Sequence, residues 1–149
     1  MTIRSATVDE ADELTAIAMA AKRHWGYPES WIKQWEADLT ITSDFVSHNT
    51  VFVSEEDGEA RGFYALSLNA GKAELKHMWV KPEYIVSGVG KELFLHAMDL
   101  VTALNLDEMS ITADPNAASF YEHMGAERVG EVDSSIEGRK LPRLKIEKK

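Results

Sequence analysis

Val80-Lys81-Pro82-Glu83-Tyr84-Ile85-Val86-Ser87-Gly88-Val89-Gly90-Lys91 is the stretch on which the reading of this chain turns. Residues 73–80 ahead of it read as a strand, with Leu75, Met78 and Val80 following the turn signal Asn69-Ala70-Gly71. Behind it Leu93, Phe94, Ala97, Met98, Val101 and Leu104 recur at helical spacing, so a helix is expected to open near Gly90. A strand, a glycine loop and a helix start aim several backbone N–H groups at one point, with the positive end of the helix behind them. That is a place for an anion, most often a phosphate. Gly88 and Gly90 let a ligand approach the main chain with no Cβ in the way. The stretch lacks the Gly-Lys-Ser/Thr of a Walker loop, and it lacks the third glycine and first β-α unit of a dinucleotide fingerprint. Taken alone, it is also the pattern of an ordinary tight strand-to-helix turn.

The rest of the chain sets bounds. At 149 residues, 44% hydrophobic and 28% charged, it suits one soluble domain spanning residues 1–149 with a full core. No apolar run is long enough to span a bilayer, and Met1-Thr2-Ile3-Arg4 lacks a secretory apolar region. A cytoplasmic protein with no membrane partner is the expectation. The absence of cysteine excludes disulfides, a thiol nucleophile and thiolate metal sites, and no metal is expected. A formal net charge of −9 argues against a nucleic-acid partner, whose phosphates would be repelled. It suits cationic acceptors such as polyamines, aminoglycosides or lysine side chains. The basic residues Arg139, Lys140, Arg143, Lys145, Lys148 and Lys149 read as a polar final strand and tail.

In chain order, residues 3–6 form a short strand, and Thr7 caps a helix with Glu10 completing a capping box. Ala11, Leu14, Ile17, Ala18 and Ala21 are its buried stripe. His24-Trp25-Gly26-Tyr27-Pro28 breaks that helix, and a second follows with Trp31, Trp35 and Leu39 on one face. The tryptophans at 31 and 35 read as core. His24, Trp25 and Tyr27, on the connecting loop, are candidates to line a substrate pocket, since binding residues concentrate on loops held by a rigid scaffold. Strands at 51–53, 62–68 and 73–80, joined by turns at Glu56-Asp57-Gly58 and Asn69-Ala70-Gly71, form an antiparallel meander. A strand at 109–113, a helix at 116–124 and closing strands at 126–132 and 144–146 complete an α+β domain. Its mixed, mostly antiparallel sheet would have about six or seven strands with helices on both faces.

Asp114-Pro115-Asn116-Ala117-Ala118-Ser119-Phe120-Tyr121-Glu122-His123-Met124-Gly125-Ala126 is more specific than the glycine loop. Together the two stretches resemble the acetyl-CoA binding core of the GCN5-related N-acetyltransferase (GNAT) superfamily. The opening Ile3-Arg4, with Ala6-Thr7 and Glu10-Ala11, is similar to that family's first strand and helix, so the resemblance covers nearly the whole chain. It implies acetyl-CoA as acetyl donor, with Val86, Ser87, Gly88, Val89, Gly90 and Lys91 as the pyrophosphate cradle. It implies that Met78 and Val80 offer backbone groups to the acetyl carbonyl and pantetheine arm, and that Asn116 contacts the arm. Tyr121 matches the tyrosine near the thioester sulfur. Ile85 departs from the family pattern, which has Gln or Arg there. Homodimers are common in the family.

The reaction so implied moves an acetyl group to a primary amine, of a small molecule by preference, through direct attack on the thioester. The amine must be neutral to attack, and the leaving thiolate gains from an acid, for which a buried Tyr121 hydroxyl serves. Period-two alternation places Glu74, Lys76, Met78 and Val80 on one face, which makes Glu74 the candidate base. It also matches the position of the glutamate base in histone-type family members. His77 falls on the opposite face as a structural residue, His24 is an outside candidate, and water is the alternative base. A different class of function, a domain that binds acyl-CoA without transferring from it, stands as the alternative.

Overall fold

Two hairpin turns set the sheet. Asp57 (φ 55°) and Gly58 (φ 78°) join β2 (Thr50–Glu56) to β3 (Glu59–Asn69). Ala70 (φ 51°) and Gly71 (φ 79°) join β3 to β4 (Lys72–Val80). Paired left-handed residues in a two-residue loop match the twist of the strands they connect. Glu56 and Asn69, expected in the turns, are the last residues of their strands. The chain, a computed structural model, is described over residues 2–136 and 138–148; Met1 and Lys149, which entered the readings of the start and of the basic run, lie outside the described residues.

β1 (Thr2–Ser5) pairs antiparallel with β2. β5 (Glu108–Thr112) lies parallel to β4, β7 (Lys140–Glu147) antiparallel to β5, and β6 (Glu127–Asp133) forms the outer edge. The order is β1-β2-β3-β4-β5-β7-β6, one seven-stranded mixed sheet in an α+β fold, as the sequence suggested.

Helices cover both faces. α4 (Val89–Ala103) and α5 (Ala118–His123) close one core, in which Leu93, Phe94 and Met98 meet Tyr64, Leu75, Met109 and Ile111. α4 comes close to β3 at Gly62, where a Cβ would sit 2.8 Å from the Trp79 carbonyl oxygen and 3.2 Å from Val89 and Leu93. On the other face α1 (Ala11–His24), α2 (Glu29–Leu39) and α3 (Ser43–His48) bury Leu14, Ile17, Ile32, Trp35 and Leu39 against Val53, Phe63 and Ala65. α3 has no apolar period to announce it; Thr42 starts it by accepting the Phe45 N–H at 3.0 Å.

Local chemistry moves three boundaries. The Glu10 carboxylate does accept the Thr7 N–H at 2.9 Å, but the turn between them is a 3-10 turn (Val8–Glu10) and α1 starts at Ala11. The helix expected from 116 starts at Ala118. Asp114 accepts the Asn116 N–H on its side chain and the Ala117 N–H on its carbonyl, both at 2.8 Å, which fixes a turn instead. Leu104 lies past the end of α4 and is exposed.

The fourth difference matters most for the site. β4 pairs with β3 through Leu66↔Leu75, then resumes at Ala65↔His77, so Lys76 is a bulge residue. A bulge breaks the period of two. Ala73 and Leu75 therefore share the α4-side core with Met78 and Val80, and the expectation that Glu74 shares their face is corrected. His77 and Trp79 turn to the α1 side.

Candidate active site

The parallel pairing of β4 and β5 spans only Ala73↔Met109 to Leu75↔Ile111. β4 then runs on to Val80 against β3, while β5 stops at Thr112 against β7. The strands part, and the gap holds a cavity of about 60 Å³ bounded by Met78, Trp79, Ala113, Asp114, Ala117 and Tyr121. Tyr121 is buried, with its ring against Phe94 and Phe120 at 5.9 and 5.4 Å between centroids. Burial, and behind it the charge of Asp114, pushes its phenol well above the usual range. At neutral pH it keeps its proton, so it can donate.

On the α4 side the gap opens into a cleft of about 190 Å³ lined by Trp25, Met78, Val80, Ile85, Gly90, Asn116 and Phe120, among others. The glycine loop lies at this cleft. Gly88 caps α4 at φ 89°, a left-handed conformation natural to glycine. Glu92 N–H to the Gly88 carbonyl, 3.1 Å, is the first full turn of the helix. The N–H groups of Val89, Gly90 and Lys91 precede it and have no acceptor within the helix. Ser87 is oriented otherwise: its N–H and hydroxyl both donate to the Tyr84 carbonyl, at 3.1 and 2.7 Å. Val86 is 97% exposed. Ile85 lines the cleft, an apolar wall where the family pattern has a polar side chain.

On the α1 side the same gap meets a larger pocket of about 410 Å³. Trp35, Leu39, Trp79, Val132 and Leu141 form its apolar walls, and Lys22, Lys76, His77, Thr112, Asp114 and Arg139 its polar lining. Trp79 Nε1–H donates to His77 Nδ1 at 3.0 Å, so the ring proton of neutral His77 sits on Nε2. Burial, with Lys76 adding to it, lowers the His77 pKa to about 4.

Asp114 borders the gap, the cleft and the pocket. Its carboxylate takes Lys22 Nζ at 2.5 Å and the Tyr27 hydroxyl at 2.9 and 3.0 Å, with Arg139 at 3.6 Å. Lys22 stacks over Trp35 at 4.3 Å, and Arg139 over Tyr27 and Trp35 at 5.0 Å each. Burial raises the Asp114 pKa, yet Lys22, the Asn116 N–H and Tyr27 together hold it below the usual range. Burial, with Arg139 adding to it, pushes Lys22 down against the pull of Asp114. The Tyr27 phenol rises to about 12, chiefly through burial and its bond to Asp114.

The structure thus brings Met78, Val80, Gly90, Asn116 and Tyr121 to one place, with Val89 and Lys91 in the adjoining helix turn. It does not bring Glu74 there. That side chain lies 3.4 Å from Lys76 and 3.9 Å from Arg143, outside the gap and both pockets as described. Of the aromatic loop, Trp25 lines the α4-side cleft and Tyr27 joins Asp114. His24, expected on that loop, is instead the last residue of α1 and packs edge-on against Trp25 at 5.3 Å, away from the pocket lining. Sequence reasoning missed Lys22, Asp114 and Arg139. One signal existed: Lys22 stands four residues after Ala18 on the buried stripe of α1, where a lysine needs a buried partner.

The gap thus has a cleft and a glycine-capped helix on one side and a mixed polar and apolar pocket on the other. The family model described as Acetyltransferase (GNAT) family matches residues 11–126, and the chain belongs to that family. It is 25% identical over 120 residues to mycothiol acetyltransferase of Clavibacter michiganensis subsp. michiganensis, covering 79% of this chain and 39% of that protein. The chain thus spans about two fifths of that relative's length. It is 28% identical over 108 residues to spermidine N(1)-acetyltransferase of Thermoplasma acidophilum, covering 64% of this chain and 66% of the relative. Among solved structures, the PaiA N-acetyltransferase of Thermoplasma acidophilum, in complex with coenzyme A, superposes with a TM-score of 0.82 at 21% identity over 98% of both chains.

Proposed function

We propose that the protein transfers an acetyl group from acetyl-CoA to the primary amine of a small molecule. The observation that carries this reading is the gap between β4 and β5, with a buried Tyr121 in it and a chamber on each side. The residues fit acetyl-CoA as donor. The N–H groups of Val89, Gly90 and Lys91 at the start of α4 suit the pyrophosphate, and the apolar cleft ending at Asn116 suits the pantetheine arm. The small gap suits the acetyl group.

The thioester supplies an activated acyl carbon. The amine nitrogen bonds to that carbon, the C–S bond breaks, and Tyr121 gives its proton to the thiolate sulfur. The nitrogen's surplus proton leaves to water, and water restores the tyrosine. No side chain is assigned as base: Glu74 lies outside the gap, and neutral His77 offers Nε2–H, a donor. The part of Ser87 in the cradle reduces to shaping the loop, since its N–H and hydroxyl are turned onto Tyr84, while the backbone of Val86 stays with the cradle.

CoA release with acetyl-CoA and a panel of amines, beside a calorimetric titration of acetyl-CoA, tests the reading. Amine-dependent release is expected, and Tyr121→Phe should lower kcat about tenfold or more with acetyl-CoA affinity retained. Full turnover by the variant would remove Tyr121 from the acid role. Tight binding with no release would favour a domain that only binds acyl-CoA.

A further inference from the structure

The floor of the α1-side pocket holds two cations and one carboxylate. Lys22 and Arg139, with side chains 10% and 14% exposed, both face Asp114, whose side chain is 6% exposed. The other acids around the pocket, Asp38 and Asp133, are exposed at its rim, and Asp133 pairs with Lys140. Among the described residues, the deep end of the pocket is therefore positive. The guanidinium presents its N–H donors as a planar fork that matches a carboxylate, and an anion placed there would complete the charge balance that Asp114 begins. The walls formed by Trp35, Leu39, Trp79 and Leu141 are apolar.

Resting on the transferase reading, we propose that the acceptor is an apolar α-amino acid, its carboxylate held by Lys22 and Arg139 and its amine turned to the gap. In such a molecule the amine and carboxylate sit on one carbon. Anchoring the carboxylate at Lys22, which touches Asp114 at the mouth of the gap, delivers the nitrogen to the reacting carbon. A polyamine would bring further positive charge against a buried positive floor. The overall charge of −9 that pointed to cationic acceptors does not describe this pocket.

The test compares CoA release with phenylalanine, phenylalanine amide, phenethylamine and spermidine at fixed acetyl-CoA. The first three share a skeleton and differ at the carboxylate. Phenylalanine should exceed the amide and phenethylamine in kcat/KM by on the order of tenfold to a hundredfold, the worth of a hydrogen-bonded charge. Arg139→Gln should cut the phenylalanine value about tenfold more than that for phenethylamine, and Arg139→Lys should keep part of the preference. The wild-type comparison decides the matter even where a variant fails to fold. Equal or better use of the amide, phenethylamine or spermidine overturns the proposal and leaves the transferase standing. No release with any of the four also overturns it, and the acetyl-CoA titration then shows whether donor binding falls with it.

Discussion

At the scale of single residues, Tyr27 has every hydrogen-bonding position filled. Its hydroxyl donates to Asp114 and accepts from Arg139 at 2.7 Å and from Asn116 Nδ2 at 2.8 Å. A phenol has one proton and two lone pairs, so this residue is fixed by three partners from two connections at once. Asp114 is the group that makes the cluster tolerable, because it neutralises cations taken out of water. Asp114→Asn should therefore lower stability by about 3 kcal/mol, the usual cost of stranding a buried charge. Urea unfolding at pH 7 reads this directly; an unmoved midpoint would mean that Lys22 and Arg139 reach solvent in the variant. The sequence showed Asn116 and Tyr121 through their motif, and Gly88 through its loop. It hid Asp114's partners because they lie 92 and 87 residues away along the chain, and no local period links them. Arg139 likewise passed for part of a polar tail.

At the scale of elements, Gly88 joins the loop to α4 in a conformation that an L side chain resists. A Cβ there would meet nothing within 4 Å, so the cost of Gly88→Ala is purely conformational, about 1–2 kcal/mol. The substitution should also weaken acetyl-CoA binding, since it turns the N–H groups that follow it. Calorimetry separates the two effects, and unchanged affinity would place the anion elsewhere. Helical periods made α1 and α4 legible, and Asp57-Gly58 and Ala70-Gly71 made the meander legible. α3 was not, because six residues around Phe45 and Val46 give no period to read. The bulge at Lys76 was not legible either, because Glu74, Lys76 and Met78 alternate as an unbroken strand would. Only the pairing with β3 shows the slip.

At the scale of the molecule, acid should undo the fold in two steps. His77 falls from 6.5 to about 4 through burial, and Glu10 from 4.5 to about 2 through its bonds to Arg4. Both groups bind protons more readily in the unfolded chain, so both contributions are complete above the unfolded values and are lost as pH falls. The first loss runs from pH 6.5 toward 4, with about 2 kcal/mol gone between pH 7 and 5. The second runs from pH 4.5 toward 2. Urea midpoints across pH 7 to 3 should show both, and His77→Gln should flatten the first; a wild-type curve already flat there would mean that His77 is solvated. Apart from α3, the element order and the α+β sheet were legible at this scale because each of the other elements announces itself locally. Which chambers the strands enclose was not, since the parting of β4 from β5 is a property of two strands 28 residues apart in their ends.

The bulge has one more consequence, for the lengths this chain can tolerate. Substituting Lys76 changes an exposed side chain at the pocket lining and leaves the register of β4 alone, but deleting it closes the slip, and one half of β4 must turn over. Either Ala73 and Leu75 leave the core, or Met78 and Val80 leave the site. The strand is therefore open to spelling changes at that position and closed to a missing letter.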